Sequence, residues 1–182
     1  MSSHSDEVVT MSLFRYSGWQ RRWQAFRQMG IQPGSLHRAE GLKQAKLLGS
    51  GAGNGFSIKP NLGVYALLAI WEDEAAARSF MKENDWWLLN QERTDEHYTV
   101  FMRTAVVHGS WGGEQPFELA TTYDIKAPVA VITRATIRLR HVAGFWRFVP
   151  AVSARAKDRP GQRLSIGVGE WPLFMQATFS IW

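Results

Sequence analysis

Five histidines are the side chains of this chain most suited to binding a metal ion or an iron-containing cofactor. They are His4, His37, His97, His108 and His141. No two of them have the H-x-x-x-H or H-x-x-E-H spacing that brings imidazoles together on one helix face, so no zinc or non-haem iron site is predicted. One imidazole is enough to ligate haem iron axially. His37 is the best candidate, because it stands in a predicted loop leading towards a glycine-rich strand, while the others are expected to be surface or hydrogen-bonded residues.

A glycine-rich run, GSGAGNGF at residues 49–56, is the nearest approach to a nucleotide-binding loop. The G-x-G-x-x-G pattern needs a glycine at its sixth position, where this run has Asn54 or Phe56. No P-loop lysine follows. The run instead predicts a bulged hairpin between two strands, and its glycines would also let a flat cofactor or substrate approach the backbone.

Glu170 stands in an otherwise apolar stretch, IGVGEW. It fits either a turn between two strands or a buried functional carboxylate, and the turn is the favoured interpretation. No Ser/His/Asp order, nucleophile elbow or close carboxylate pair is visible. The residues alone therefore do not define a catalytic group.

Composition narrows the class of protein. The chain has 182 residues, 45% of them hydrophobic, and no cysteine, which excludes disulfides, thiolate metal sites and iron–sulfur clusters. It has no recognisable secretion signal and no apolar stretch near the roughly 20 residues that span a bilayer, so we expect a cytoplasmic protein. The net charge is +5, but the basic residues are scattered. Nucleic acid is therefore not expected, whereas an acidic partner or an anionic membrane surface, contacted peripherally, would use the same charge.

The chain is rich in aromatic residues, with nine Trp and ten Phe. Most are predicted to be core, in particular Trp23, Phe26, Trp71, Phe145, Phe179 and Trp182. A wall of aromatic side chains would equally suit a long apolar or conjugated ligand. Composition does not separate these two uses.

The order of elements predicts a repeated architecture. Strand-like residues 8–16, an aromatic-faced helix from Trp19, a strand at 64–71, a helix at 72–90 and a strand at 98–107 follow one another, with glycine-rich residues 35–60 supplying the remaining strand. These elements form a β-α-β-β-α-β unit at residues 8–108. A connector at 109–127 precedes a second copy at 128–182. There strands are predicted at 129–139, 163–168 and 174–182, a helix at 144–158, and a turn at Arg159-Pro160-Gly161.

The predicted fold is α+β, with two ferredoxin-like β-α-β-β-α-β repeats whose sheets pack together or close into a dimeric α/β-barrel-like domain. The second copy stops at Trp182, the position of Trp71 in the first, and so is predicted to be incomplete at its C-terminus.

Several motifs resemble the spheroidene monooxygenase family. They are LLGSGAGNGF at 47–56, the Pro60-Asn61 pair, TRATIR at 133–138, FWRFVPAVS at 145–153, SIGVGEWP at 165–172 and QATFSIW at 176–182. The similarity covers nearly the whole chain from about residue 9, and its C-terminal third is the most specific part. The fold implied is the ferredoxin-like α/β barrel of several haem-binding families, in agreement with the repeat.

The resemblance implies an oxidoreductase that adds a keto or hydroxyl oxygen to an acyclic, spheroidene-like carotenoid. Molecular oxygen would be the co-substrate, haem the cofactor and a ferredoxin-type protein the electron donor. Arg134 and Arg138, on one predicted strand, could face the haem propionates. The family continues past TFSIW into a helix that carries a histidine, which leads to the hypothesis that the axial ligand lies beyond Trp182 and the chain is truncated.

Two alternatives remain. One is a non-catalytic module on the same fold that binds haem or a hydrophobic ligand, because fold does not determine function. The other is a monooxygenase of the same family that acts on a different hydrophobic substrate.

Overall fold

The protein combines helices with antiparallel strands. The structure, a computed structural model, describes residues 6–30, 34–51, 60–142, 144–149, 159–171 and 175–182. Its strands are β1 (Val8–Arg15), β2 (Leu42–Gly51), β3 (Pro60–Trp71), β4 (Glu96–Met102), β5 (Ala130–Thr136), β6 (Leu164–Trp171) and β7 (Met175–Ile181). Its helices are α1 (Trp19–Gly30), α2 (Gly34–His37), α3 (Glu74–Glu83), α4 (Asp85–Arg93) and α5 (residues 144–149), with a 3-10 turn at Leu139–His141.

The chain divides into two compact units. The first unit contains Met1–Leu47 and Leu67–Ala127, and the second contains Leu48–Ala66 and Pro128–Trp182. Residues 48–66 thus join the C-terminal strands, although they belong to the first repeat in the sequence-based division. Long-range strand pairing decides this, because Gly49 and Ser50 of β2 pair with Gly169 and Val168 of β6.

The first unit has the strand order β4-β1-β3-β2. Strand β1 pairs antiparallel with β4 from Val9–Met102 to Arg15–Glu96. The core is aromatic: Trp71 is fully buried, its ring lies 5.0 Å from that of Phe80, and its indole nitrogen donates to Thr10. The prediction that Trp71 is a core residue is confirmed.

One predicted helix is two. The sequence predicts a single helix over residues 72–90, but α3 ends at Glu83 and α4 begins at Asp85. Asn84 stands between them with an extended backbone, and its side-chain oxygen accepts hydrogen bonds from the amides of Trp86 and Trp87. Asparagine is a preferred N-cap residue, so its local hydrogen bonds start a new helix rather than continue the old one.

Helix α1 buries a different face from the one predicted. Ala25 is buried, whereas Trp23 and Phe26 are 50% and 47% exposed. Their assignment to the core is wrong, and so is that of Trp182, which is 39% exposed. Helical periodicity identifies a stripe of apolar residues on a helix, but it does not identify what covers that stripe.

The second unit contains the strand order β2-β6-β7-β5. Strand β7 pairs antiparallel with both β5 and β6. Phe179 at the centre of β7 is fully buried, which confirms its prediction as a core residue, and Phe145 is half-buried. The turn predicted at Arg159-Pro160-Gly161 is confirmed, because the Gln162 amide donates to the Arg159 carbonyl and Gly161 has a φ of 87°.

The remaining differences concern the ends of elements. Strand β5 ends at Thr136, before the predicted end at 139, and β4 ends at Met102 rather than 107. Residues 52–56 of the bulged hairpin predicted at 49–56, and residues 150–158 of the helix predicted at 144–158, lie outside the described residues. No helix within the described ranges is long and apolar enough to cross a membrane.

Candidate functional site

A row of side chains crosses the sheet of the second unit on its covered face. Directly paired residues on neighbouring strands point to the same face. The row comprises Ser50 on β2, Val168 on β6, Ala177 on β7 and Arg134 on β5. The first three are buried, with 8%, 1% and 2% of their surface exposed. A guanidinium therefore stands at the end of a covered, largely apolar row.

Arg134 forms an ion pair on this face with Glu170. Its Nε lies 3.6 Å from Oε1 of Glu170, and the two side chains are only 16% and 21% exposed. The distance is that of an ion pair and is too long for a hydrogen bond. The Nη1 of Arg134 also approaches the Thr136 hydroxyl, at 3.4 Å. Charged side chains this far covered are uncommon unless paired, and this pair stands at the end of a buried apolar row, which makes it a candidate functional site.

A β-bulge places Glu170 beside Arg134. On β6, Gly169 pairs with Gln176 and Trp171 pairs with Met175, so Glu170 is the extra residue between two ladder positions. Bulges change the direction of a side chain and are frequent near active sites. The interpretation of Glu170 as a turn residue is wrong, because the residue lies within β6 and its carboxylate is paired.

Gly169 makes this bulge possible. A Cβ at this position would lie 2.5 Å from the Met175 carbonyl oxygen and 3.4 Å from the side-chain nitrogen of Gln176. Its ladder partner on β2 is another glycine, Gly49. The glycine-rich run thus begins where β2 and β6 pair through two glycines, which have no side chains. The side chain of Gln176 on β7 occupies the space over Gly169.

The predicted site residues are not brought together as a group. Arg138 is exposed and lies past the end of β5, where its carbonyl accepts the His141 amide. It therefore does not share a strand with Arg134, because the ladder between β5 and β7 ends at the pair of Thr136 and Met175. His37 is the last residue of α2, and only its backbone is described. The roles of these three residues in haem binding stay predictions.

The described side chains do not fit a haem site. His97, His108 and His141 are exposed, and the His141 ring accepts a hydrogen bond from Arg140. The guanidinium of Arg134 is directed to a carboxylate rather than held open for a propionate. Within the described ranges, no group of three or more histidine, aspartate or glutamate residues could hold a metal ion.

The pair of Arg134 and Glu170 can bind or donate to a polar group at the end of an apolar surface. The guanidinium donates hydrogen bonds, and a carboxyl group can hold or move a proton. Sequence reasoning considered both residues separately and missed their pairing. The available signal was the glycine next to Glu170, since a glycine inside a strand often marks a bulge.

Tyr65 on β3 is a second polar side chain of the same unit. It is 6% exposed, and burial raises the pKa of its phenol. The phenol therefore keeps its proton over a wide range of pH. A protonated phenol acts as a hydrogen-bond donor rather than a base.

The chain shares a low level of similarity with solved structures. The cofactor-independent oxygenase SnoaB from Streptomyces nogalater is 18% identical, with a TM-score of 0.37 over 57% of this chain and 99% of that one. An anthrone oxidase-like protein is 11% identical, with a TM-score of 0.40 over 100% of this chain and 75% of that one. Similarity at this level establishes neither the fold nor the function of this chain. No family model matches the sequence.

Three relatives are much more similar in sequence. The spheroidene monooxygenase of Cereibacter sphaeroides is 36% identical over 97% of this chain, which spans 54% of that protein. The spheroidene monooxygenase of Rhodobacter capsulatus is 34% identical over 96% of this chain and 73% of that protein. The enzyme of the same name from Rubrivivax gelatinosus is 34% identical over 78% of this chain and 55% of that protein. This chain therefore belongs to the spheroidene monooxygenase family.

Proposed function

We propose that the protein is an oxygen-dependent monooxygenase that adds a keto or hydroxyl oxygen to an acyclic, spheroidene-like carotenoid. The observation that carries the proposal is the 34–36% identity to three proteins named spheroidene monooxygenase, two of which match at least 96% of the chain. The chain spans about half the length of two of these relatives. Their activity is therefore a proposal for this chain.

The covered face of the second unit supports a hydrocarbon substrate. Val168, Ala177 and Phe179 provide buried apolar surface, and the pair of Arg134 and Glu170 stands beside them. An apolar wall with a few placed polar groups is the usual form of a site for a small hydrophobic molecule. Because these three apolar residues are already packed inside the protein, we expect the polyene to approach the partly exposed pair, with its oxidised end in contact with Arg134 or Glu170.

The reaction needs more than the side chains of this protein. For a hydroxyl product, one atom of dioxygen enters the carotenoid and the other leaves as water, so a donor must supply a pair of electrons and a pair of protons. A keto product needs a second such turnover at the same carbon, after which the diol loses water. A ferredoxin-type protein is the proposed electron donor. Glu170 is the proposed carrier of a proton between solvent and the bound substrate, because its side chain, although largely covered, is still 21% exposed. The apolar surroundings exclude water from the reacting end.

We further propose the ferredoxin-like β-α-β-β-α-β repeat as the building unit of the fold. The order β1, α1, β2, β3, α3, β4 in the first unit, with β2 and β4 at the edges of the strand order, supports it. The second repeat, predicted from the order of elements in the sequence, and the barrel, which the resemblance also implies, are likewise proposals.

Activity with labelled oxygen tests the function. The protein would be incubated with spheroidene, reduced ferredoxin and isotopically labelled dioxygen, and the carotenoids would be analysed by mass spectrometry. The expected result is a keto or hydroxy product that carries the label. Unchanged carotenoid, or a product that takes its oxygen from water, would contradict the proposal. Other acyclic isoprenoids in the same assay would reveal a different hydrophobic substrate.

A haem titration tests the cofactor prediction. Haem is implied only by the resemblance, with His37 as the candidate axial ligand in this chain. If the prediction is correct, the wild-type protein develops a Soret band on titration with haemin and His37→Ala loses it, while His108→Ala serves as the exposed control. An identical titration of wild type and His37→Ala would remove His37 as the ligand. The same titration on a protein with the relatives' full length would test the hypothesis of a ligand beyond Trp182.

A further inference from the structure

Helix α1 carries a continuous stripe of exposed aromatic rings. Trp19, Trp23 and Phe26 are 72%, 50% and 47% exposed. The rings of Trp19 and Trp23 stack with centroids 6.2 Å apart, and those of Trp23 and Phe26 with centroids 5.7 Å apart. Single exposed apolar residues are common, but three stacked aromatic rings form a contiguous apolar surface that usually contacts something.

Arginines border this stripe. At about 100° per residue, Arg22 and Arg27 fall on opposite sides of the line through Trp19, Trp23 and Phe26. The helix contains a third arginine, Arg21, and no acidic residue. Exposed tryptophan and phenylalanine bordered by arginine is the pattern of a helix that lies in the interface of an anionic membrane.

The rest of the first unit holds α1 in this orientation. Ala25 is buried on another side of the helix, Nε of Arg22 donates to the Tyr16 carbonyl, and Arg21 pairs with Asp95 at 3.2 Å. A hydrogen bond from Ser17 and the nearby Arg21 and Arg15 hold the pKa of the Asp95 carboxyl below its usual value. The aromatic stripe therefore faces outwards because the opposite contacts fix the helix, so the helix need not turn to dock.

We propose that α1 docks the protein onto an anionic lipid surface, with the rings of Trp19, Trp23 and Phe26 between the head groups and with Arg22 and Arg27 at the phosphates. The proposal is independent of the proposed enzymatic function. Charge complementarity selects this occupant: an apolar protein partner would not need bordering arginines, whereas phosphate groups pair with them. Tryptophan suits the boundary because its ring is apolar and its N–H remains hydrated.

Vesicle sedimentation tests the proposal. The protein would be mixed with phosphatidylglycerol vesicles and with phosphatidylcholine vesicles, and the bound fraction measured. We expect binding to the anionic vesicles that weakens as salt is added, because salt screens the arginine–phosphate attraction. The double variant Trp19→Ala, Trp23→Ala is expected to bind at least about tenfold more weakly, and Arg27→Gln about fivefold more weakly.

Matched controls separate docking from misfolding and general stickiness. Trp19→Phe, Trp23→Phe keeps the apolar surface and should bind nearly as well as wild type. Tyr123→Ala removes another exposed aromatic ring, 62% exposed, and should bind as wild type does. Circular dichroism would check that each variant folds. Equal binding by wild type and the double alanine variant would overturn the proposal, and so would a wild-type dimer that the double alanine variant abolishes, since a second copy would then cover the stripe.

Discussion

Each unit carries a covered ion pair, and the two pairs differ in how tightly they are held. In the first unit, the buried Glu7 carboxylate accepts a hydrogen bond from Lys43 at 3.0 Å on one oxygen and from the Glu118 amide at 2.7 Å on the other. In the second unit, Arg134 and Glu170 lie 3.6 Å apart, too far for a hydrogen bond, and both side chains stay partly exposed. A buried charge with hydrogen bonds on both oxygens fixes a segment in place, whereas a looser pair that solvent reaches can still bind a ligand. The first pair thus has the features of a structural contact and the second those of a site.

The largest effect is expected in the aromatic core of the first unit. Trp71→Ala should lower the free energy of unfolding by about 3–5 kcal/mol, because it removes a fully buried ring and leaves the Thr10 hydroxyl without its donor. Trp19→Ala, on the exposed stripe of the same unit, should change it by no more than about 0.5 kcal/mol. Urea denaturation of both variants checks this contrast. Equal losses of unfolding free energy in the two variants would mean that α1 is more covered in solution than the structure indicates.

Gly169 tests whether the bulge of the second unit is required. Gly169→Ala should destabilise the protein by about 1–3 kcal/mol, since the added methyl would meet the backbone of Met175. It should also lower the proposed monooxygenase activity by displacing Glu170. Gly144→Ala on α5 is the control, because a Cβ there meets nothing within 4 Å. Normal stability of Gly169→Ala, measured by thermal denaturation, would contradict the geometry of the bulge.

The ion pair should matter more for activity than for folding. Glu170→Gln keeps the shape of the side chain. It is expected to lower kcat of the proposed reaction about tenfold, equivalent to about 1.4 kcal/mol in activation free energy, with a smaller change in the free energy of unfolding. Arg163→Gln, at an exposed arginine immediately before β6, should leave kcat unchanged. A double-mutant cycle of Arg134→Ala and Glu170→Ala should give a coupling energy of about 1 kcal/mol in unfolding. Zero coupling would mean that the two charges do not interact.

A smaller, pH-dependent effect is expected where the segment after β4 joins the first unit. Lys43 donates to Glu118 at 2.7 Å and to Glu7 at 3.0 Å, and Glu7 also accepts the Glu118 amide. Hydrogen bonding to Glu118, and then to Glu7, raises the pKa of Lys43 above 10.5 despite partial burial. A raised pKa gives stabilisation that is complete below the unfolded value and is lost as pH rises through the folded value.

Lys43→Gln should therefore be about 1 kcal/mol less stable than wild type near neutral pH, a modest value because the lysine is about one-third exposed. The difference in stability between the variant and wild type should narrow above pH 10.5. Thermal denaturation of both proteins at several pH values measures it. A gap that stays constant into strongly alkaline solution would show that the lysine acts through packing rather than charge.

The sequence predicted more of the scaffold than of the site. The continuous apolar run ending at Trp71 was enough to predict a buried strand, because all its side chains must be buried and its length is that of a strand. The break at Asn84 was missed, since the capping hydrogen bond of one side chain outweighed a helical pattern on either side. The ion pair was missed for a different reason: Arg134 and Glu170 are far apart in the chain, and their meeting depends on the register of three strands.

Some properties of this protein follow from the amino-acid sequence by itself. Its family, most of its strands, the amphipathic character of α1 and the unsuitability of its glycine run for binding nucleotides all depend on local pattern and residue type. Tertiary structure decided the rest. Only packing determines that the aromatic stripe of α1 is exposed while Ala25 is buried, and only strand pairing and one bulge place the Glu170 carboxylate beside Arg134. Local pattern specifies which surfaces need a partner, and long-range contacts determine which partner each surface receives.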